Sequence, residues 1–117
     1  MFNIVKIGEK EVPMLAMASA AIYYKRVFGR DAIVVQADAK TDGELIAFYG
    51  EMGYIMAMMA KYSSDDRAKL LEINFDSYIE WLDNFSSSDY NEAIVSIAQI
   101  YEGQNKVSSK EKKESAH

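Results

Sequence analysis

The pattern of apolar and polar positions changes once along the chain. At the N-terminus, Phe2–Val12 has short apolar stretches on both sides of Gly8-Glu9, and this predicts a β-hairpin with a tight turn. A lone two-stranded hairpin is only marginally stable in water, so we expect it to pack against a helix or another subunit. Beyond Val12 the apolar residues recur every three or four positions, which predicts helices.

The first predicted helix runs from Pro13 to Phe28 and stops at Gly29. Proline is well tolerated in the first turn of a helix, and glycine is common just beyond the last turn. The small residues of Ala16–Ala21 would let a second helix approach closely. The apolar stripe of this predicted helix consists of Met14, Met17, Ala21, Tyr24 and Phe28.

Shorter helices are predicted on either side of the middle of the chain. Asp31–Ala39 fits a strand or a short helix, because it is rich in β-branched residues, and we predict a short helix capped by Asp31. Polar breaks then separate Arg67–Ile73, Phe75–Phe85 and a last helix that ends at Gly103. The last helix is predicted to turn inward Tyr90, Ala93, Ile94, Ile97 and Tyr101.

The longest predicted helix runs from Asp42 to about Tyr62 and begins with a capping box at Thr41–Glu44. A helix that is apolar nearly all round is either buried on most sides or left for a partner, and periodicity does not separate the two. Gly50 and Gly53 allow a kink or a close contact with another helix. One apolar stripe comprises Leu45, Phe48, Met52, Ile55 and Met59, and a second comprises Ala47, Tyr54, Met58 and Tyr62.

These elements together predict a mainly α fold. Residues 1–103 would form a single small helical domain of about five helices with a short N-terminal β-hairpin, and 117 residues suit one domain. Residues 104–117 contain one valine and one alanine as their only apolar residues, so they cannot bury enough surface to offset the entropy of ordering. We therefore predict a disordered polar tail there.

Composition and charge narrow the function classes. There is no cysteine, which excludes disulfides, thiolate metal sites and cysteine nucleophiles. No apolar run approaches the ~20 residues of a membrane span, and no signal-peptide segment is present, so we expect an intracellular protein without membrane contact. Residues 64–103 hold nine acidic residues against two basic ones. This balance disfavours nucleic acid and suits either a basic protein partner or a solvated acidic surface.

Candidate catalytic chemistry is scarce in the sequence. The one histidine is His117, in the predicted tail, so no histidine-activated nucleophile can be assembled around it. The carboxylates sit at predicted helix caps and solvent faces rather than in a paired arrangement. Asp38–Gly43 lacks the third acidic ligand and the terminal glutamate of a calcium loop. We therefore expect a protein that is not an enzyme and that needs no metal or cofactor.

The N-terminal quarter of the chain, about residues 2–31, resembles a known family. The run Val12–Asp31, VPMLAMASAAIYYKRVFGRD, follows the hairpin-like segment Ile4–Glu11. In this run and in its size and helical layout, the chain resembles the small tail assembly chaperones of long, non-contractile-tailed phages of Gram-positive bacteria. It is similar in particular to the tape-measure-protein chaperones of lactococcal phages.

The resemblance implies a non-enzymatic role in viral tail assembly. Such proteins coat the aggregation-prone, helical tape measure protein until subunits of the major tail protein polymerise around it. They are mainly helical and self-associate into rings or spirals. The resemblance also implies a location in the host cytoplasm and absence from the mature virion, and a longer form made by ribosomal frameshifting near Lys110–Lys113.

Adaptable methionine and tyrosine side chains are the contact surface that we infer for the client or for other copies. The alternative is a self-associating helical interaction or regulatory protein, with a buried methionine core and no client. The inferred contact residues are Met14, Met17, Tyr24, Met52, Tyr54, Met56, Met58, Met59 and Tyr62.

Overall fold

A computed structural model describes residues 2–63 and 66–103 with their side chains and the backbone of residues 104–116. The N-terminal hairpin is confirmed. Strands β1 (Asn3–Ile7) and β2 (Lys10–Met14) pair antiparallel on either side of the Gly8-Glu9 turn. Gly8 has φ of 63°, the left-handed region that a type II′ turn requires at its first central position.

The predicted start of the first helix is wrong. Pro13 and Met14 belong to β2, and helix α1 (Ala20–Phe28) begins after them. Pro13 lies opposite Ile4, which by alternation from the turn is a non-hydrogen-bonded pair, so its missing N–H costs no bond in the ladder. The predicted helical stripe through Met14, Met17 and Ala21 therefore does not exist.

Gly29, at φ of 72°, separates α1 from the short helix α2 (Ala32–Asp38). The prediction of a helix rather than a strand is confirmed for this segment. Asp31 occupies the N-cap position but makes no capping hydrogen bond. Its carboxylate pairs instead with the Lys25 ammonium group at 3.2 Å.

Three helical elements follow the long helix α3 (Asp42–Lys61): a 3-10 helix (Arg67–Leu71), α4 (Phe75–Leu82) and α5 (Ser87–Ala116). The predicted helix at Arg67–Ile73 is thus a 3-10 segment. The predicted end of the last helix at Gly103 is wrong, because the backbone of α5 continues to Ala116. The prediction of a disordered polar tail at 104–117 falls on residues whose side chains lie outside the described part of the chain. All side chains predicted to face inward from α5 are buried: Tyr90, Ala93, Ile94, Ile97 and Tyr101.

Helix α3 is the centre of the molecule. Its cap forms as predicted, with the Glu44 N–H donating to Thr41 Oγ1 at 3.1 Å. The helix contacts β2, the 3-10 helix and each of the other helices, and all residues from Met52 to Met59 are buried. Because α3 is covered on nearly every side, its apolar character is explained within this chain.

The two glycines of α3 mark its closest helix contact. A Cβ at Gly53 would lie 2.9 Å from the Tyr90 hydroxyl and 3.0 Å from Ile97 Cδ1, and one at Gly50 would lie 3.3 Å from the Tyr90 ring. The Tyr90 hydroxyl donates to the Gly50 carbonyl oxygen at 2.5 Å. The predicted close helix contact is therefore made with α5.

The fold class is confirmed. Within the described residues the chain has five α-helices and one antiparallel hairpin. The hairpin packs on α3 and α5, as expected because an isolated two-stranded hairpin is only marginally stable. One apolar core joins all of these elements.

Candidate interaction surface

The structure divides the predicted contact residues into core and surface. Met17 is 44% exposed, and Tyr62 is half-buried. The remaining seven have no more than 8% of their surface exposed: Met14, Tyr24, Met52, Tyr54, Met56, Met58 and Met59. These seven side chains form the interior of the folded chain and offer no surface to a client.

The sequence left open whether the second apolar stripe of α3 is core or partner surface, and in the structure Tyr54 and Met58 are buried while Tyr62 is half-buried. The Tyr54 ring contacts the rings of Tyr78 and Trp81 at 5.4 and 5.5 Å, and its hydroxyl lies 2.7 Å from Ser77 Oγ. Helix α4 therefore covers this face. The physical reason is that a helix of only two turns, held by aromatic rings, is enough to cover one side of α3.

A groove of about 390 Å³ remains between α3, the 3-10 helix and α4. Tyr54, Met58 and Tyr62 do line it, but Tyr62 contributes most of their open surface. Lys61 and Lys69 place their ammonium groups 5.4 and 5.8 Å from the centre of the Tyr62 ring. Because charges of both signs line the groove, it favours no single ligand charge.

Helix α4 is the least buried helix of the described domain. None of its eight residues is buried, and it is held mainly through the rings of Tyr78 and Trp81. Phe75 and Ile79 are 52% and 41% exposed, and Leu82 is half-buried on the same side. This spacing of four and three residues forms an apolar stripe along the helix.

An acidic stripe runs beside the apolar one. It consists of Asp76, Glu80 and Asp83, each one residue beyond a member of the apolar stripe and each exposed. Successive residues of an α-helix point about 100° apart, so the two stripes lie side by side. We call the six residues the α4 face.

Further exposed apolar side chains lie outside the α4 face. Helices α1 and α2 expose Ile22, Ile33 and Val34, and α5 exposes Val95. Because scattered surface apolar residues are normal in soluble proteins, only those that share a defined pattern indicate a site.

Two hydrogen bonds between a tyrosine and a carboxylate join α3 to neighbouring helices. The Tyr24 hydroxyl donates to Glu51 Oε1 at 2.6 Å, and Arg30 binds the other oxygen of Glu51 at 2.7 Å. Burial and the hydrogen bond to Glu51 raise the pKa of Tyr24 well above its usual range. Tyr49 donates to the Glu102 carboxylate, and burial together with that bond raises its pKa to about 12.

These pairs are structural rather than reactive. A tyrosine hydroxyl whose pKa is raised stays protonated at neutral pH and serves as a hydrogen-bond donor. The bonds link α1 and α5 to α3, and they leave the buried phenols fully partnered.

A sequence signal for the α4 face lies in the order of its apolar and acidic residues. The pattern over Phe75–Phe85 predicts an apolar stripe without Ile79, with the acids Asp76, Glu80 and Asp83 on the polar side; the stripe consists of Phe75, Tyr78, Leu82 and Phe85. An apolar residue followed directly by an acid recurs at helical spacing at Leu71-Glu72, Phe75-Asp76, Ile79-Glu80 and Leu82-Asp83. That doublet, rather than the methionine content, distinguishes a helix that presents apolar surface beside charge.

The described residues contain no group of three or more His, Asp or Glu side chains placed to bind a metal ion. Within the same ranges, no helix has both the length and the apolar content needed to cross a bilayer. Comparison of the chain with protein-family models, with curated proteins and with solved structures finds no match.

Proposed function

We propose that this protein is a phage tail assembly chaperone, which binds and solubilises the tape measure protein during tail morphogenesis without enzymatic activity. The proposal combines the family resemblance of the N-terminal quarter with the exposed apolar surface of the folded chain. It places the protein in the host cytoplasm and outside the finished virion.

The observation that carries the proposal is that apolar side chains of α4 stay exposed to solvent although the chain already has a packed core. The methionine helix α3 is covered within the chain, yet Phe75 and Ile79 of α4 remain 52% and 41% exposed in an ordered pattern. Exposed apolar residues that share a face commonly mark contact with another chain. A helical client with an apolar stripe of its own would be shielded from aggregation by such a contact.

Release of the client would need no chemical energy. Subunits of the major tail protein would compete for the same apolar stripe of the tape measure protein as they polymerise around it. Binding that relies on apolar burial and charge, without a strict sequence code, is weak enough per site to be displaced in this way. A ring or spiral of copies would cover a long client by repeating the contact.

Co-expression with the long helical protein that the proposal expects to be encoded downstream of this gene, the tape measure protein, tests the proposal. We expect the tape measure protein to move from the insoluble to the soluble fraction and to co-purify with the chain. An unrelated aggregation-prone helical protein serves as the control and should stay insoluble. If the tape measure protein stays insoluble and does not co-purify, the chaperone proposal is wrong.

The alternative, a self-associating interaction protein without a client, gives a different result in the same experiment. It predicts one discrete oligomer in analytical ultracentrifugation, unchanged when the tape measure protein is present. The chaperone proposal predicts a new, larger species that contains both chains.

A further inference from the structure

The α4 face offers two kinds of contact at once. Its apolar stripe of Phe75, Ile79 and Leu82 and its acidic stripe of Asp76, Glu80 and Asp83 run parallel along one helix. Phe75 and Ile79 keep about half of their surface open to solvent, which costs free energy that a partner would recover. All three carboxylates are exposed, and α4 itself carries no basic residue to neutralise them.

The face is preformed rather than created on binding. Asn74 Oδ1 accepts from the Ser77 N–H at 2.9 Å, and Ser77 Oγ accepts from the Asn74 N–H at 2.8 Å, which fixes the start of α4. The Tyr78 ring packs edge-on against Phe28 at 5.0 Å, and the Trp81 ring packs against Tyr90 at 5.7 Å. A surface held this way loses little conformational entropy when a partner docks.

We propose that the α4 face binds an amphipathic helix whose apolar stripe is flanked by lysine or arginine residues. The apolar stripe of the partner would cover Phe75 and Ile79, and its basic flank would lie along the exposed carboxylates. The inference rests on the proposed function, and it names the chemical class of the segment that the tape measure protein presents.

Charge selects this occupant over the others that an apolar face could take. In an antiparallel twofold contact between two copies through the α4 face, the acidic stripes would lie on the same side of the interface and repel. The same carboxylates disfavour nucleic acid and anionic membranes, because both carry negative charge at their surfaces. A basic amphipathic helix is the partner for which apolar burial and charge attraction act together.

Two synthetic helical peptides of about five turns test the charge requirement directly. Both carry the same leucine stripe, one with lysine flanks and one with glutamate flanks, and binding to the full chain is measured by calorimetry. We expect the lysine peptide to bind and the glutamate peptide to bind at least about tenfold more weakly. Affinity for the lysine peptide should fall as salt is raised. Equal binding of both peptides, or no binding of either, overturns the proposal.

Matched variants locate the binding surface. Ile79→Asp should weaken binding of the lysine peptide by about tenfold or more, since it removes apolar area at the centre of the face. The isosteric triple change Asp76→Asn, Glu80→Gln and Asp83→Asn should weaken it and flatten the salt dependence. Val95→Asp, at a residue of α5 that is 64% exposed, is the control and should leave binding unchanged. Equal losses for Ile79→Asp and Val95→Asp overturn the assignment to α4.

Circular dichroism checks that each variant is folded before binding is compared. The triple change alters no apolar group, so it keeps the test valid if Ile79→Asp unfolds.

Sedimentation of the free chain tests whether a second copy occupies the α4 face. A dimer that Ile79→Asp dissociates would show that a second copy binds there, contrary to the proposal.

The co-expression experiment with these variants separates the inference from the proposed function. If the wild-type chain solubilises the tape measure protein and Ile79→Asp does so equally well, the function stands and the α4 face is not its binding site. If the wild-type chain fails to solubilise the tape measure protein, the proposed function is wrong, and the peptide measurements still decide what the face binds.

Discussion

Helices α3 and α4 are both rich in apolar and aromatic residues, but they have opposite roles in the fold. Helix α3 has all residues from Met52 to Met59 buried, whereas none of the residues of α4 is buried. Helix α3 is apolar on nearly every side, and α4 confines its charges to one side and its rings to the other. Most apolar residues of α3 lie in the core, with Ile46 an exception at 44% exposed, whereas Phe75 and Ile79 of α4 stay at the surface.

The difference shows that apolar content is a poor guide to a binding surface in a small domain. A helix that is apolar all round gains most by becoming the centre, because every neighbour can pack on it. A helix with an acidic side must lie at the periphery, since burying unpaired carboxylates is costly. Its remaining apolar residues are then exposed at the boundary with the charged side.

The largest effect that would test this contrast is a charge placed in α3. Met56 is fully buried, so Met56→Glu would bury a carboxylate without a partner, and we expect a loss of stability of at least about 3 kcal/mol or failure to fold. Chemical denaturation followed by circular dichroism measures it. The control is Met17→Glu at a 44% exposed position, with an expected change within about 0.5 kcal/mol. A folded, stable Met56→Glu protein would contradict the central position of α3.

A smaller effect is expected where α3 meets α5. Gly53→Ala places a Cβ 2.9 Å from the Tyr90 hydroxyl and 3.0 Å from an Ile97 methyl group, so these side chains or the helices themselves must shift, at a cost of about 1–3 kcal/mol. Gly103→Ala meets no atom within 4 Å and should gain up to about 1 kcal/mol of helix propensity. Thermal unfolding of both variants measures the difference. Equal shifts would mean that the contact between α3 and α5 is looser than described.

At the edge of the molecule, loss of a cap should loosen α4 without affecting α3. Asn74→Ala removes the side-chain acceptor of the Ser77 N–H and should cost about 1 kcal/mol. The single tryptophan, Trp81, lies on α4, so its fluorescence should change at lower denaturant than the circular dichroism signal of the whole chain.

The matched control is Thr41→Ala at the cap of α3. It removes the acceptor of the Glu44 N–H and should cost a similar amount, but here both signals should change together, because α3 unfolds only with the core. Coincident transitions in Asn74→Ala would show that α4 is as tightly integrated as α3.

The smallest effect at neutral pH concerns the buried tyrosines. Burial, with the hydrogen bond to Glu102, raises the pKa of Tyr49 from 10 to about 12, and burial raises that of Tyr78 on α4 to about 12. Between pH 10 and 12 the unfolded chain releases tyrosine protons that the folded chain retains, so stability should be unaffected below about pH 9 and fall above 10.

Unfolding free energies measured at several pH values check this dependence. Tyr49→Phe and Tyr78→Phe each remove one titrating group and should make the decline less steep. A decline of stability that begins well below pH 10, or one that neither substitution changes, would mean that these tyrosines do not control it.

Much of the fold could be predicted from the sequence, because local signals agreed with it. The Gly8-Glu9 turn, the Thr41 cap and the inward-facing positions of α5 all follow rules of nearby residues. The start of the first helix could not be predicted in the same way. Pro13 suits a helix start and an edge strand equally, and only pairing with β1 decides between them.

The sequence by itself determined that α3 is apolar all round, that the acids collect in the second half and that helices dominate. Only the tertiary structure decided which apolar residues are exposed. Tyr54 became core because α4 packs over it, and Ile79 stayed at the surface because no described element covers it. Periodicity shows which side of each helix is apolar. The number and position of the elements that cover that side depend on long-range packing, which no local pattern encodes.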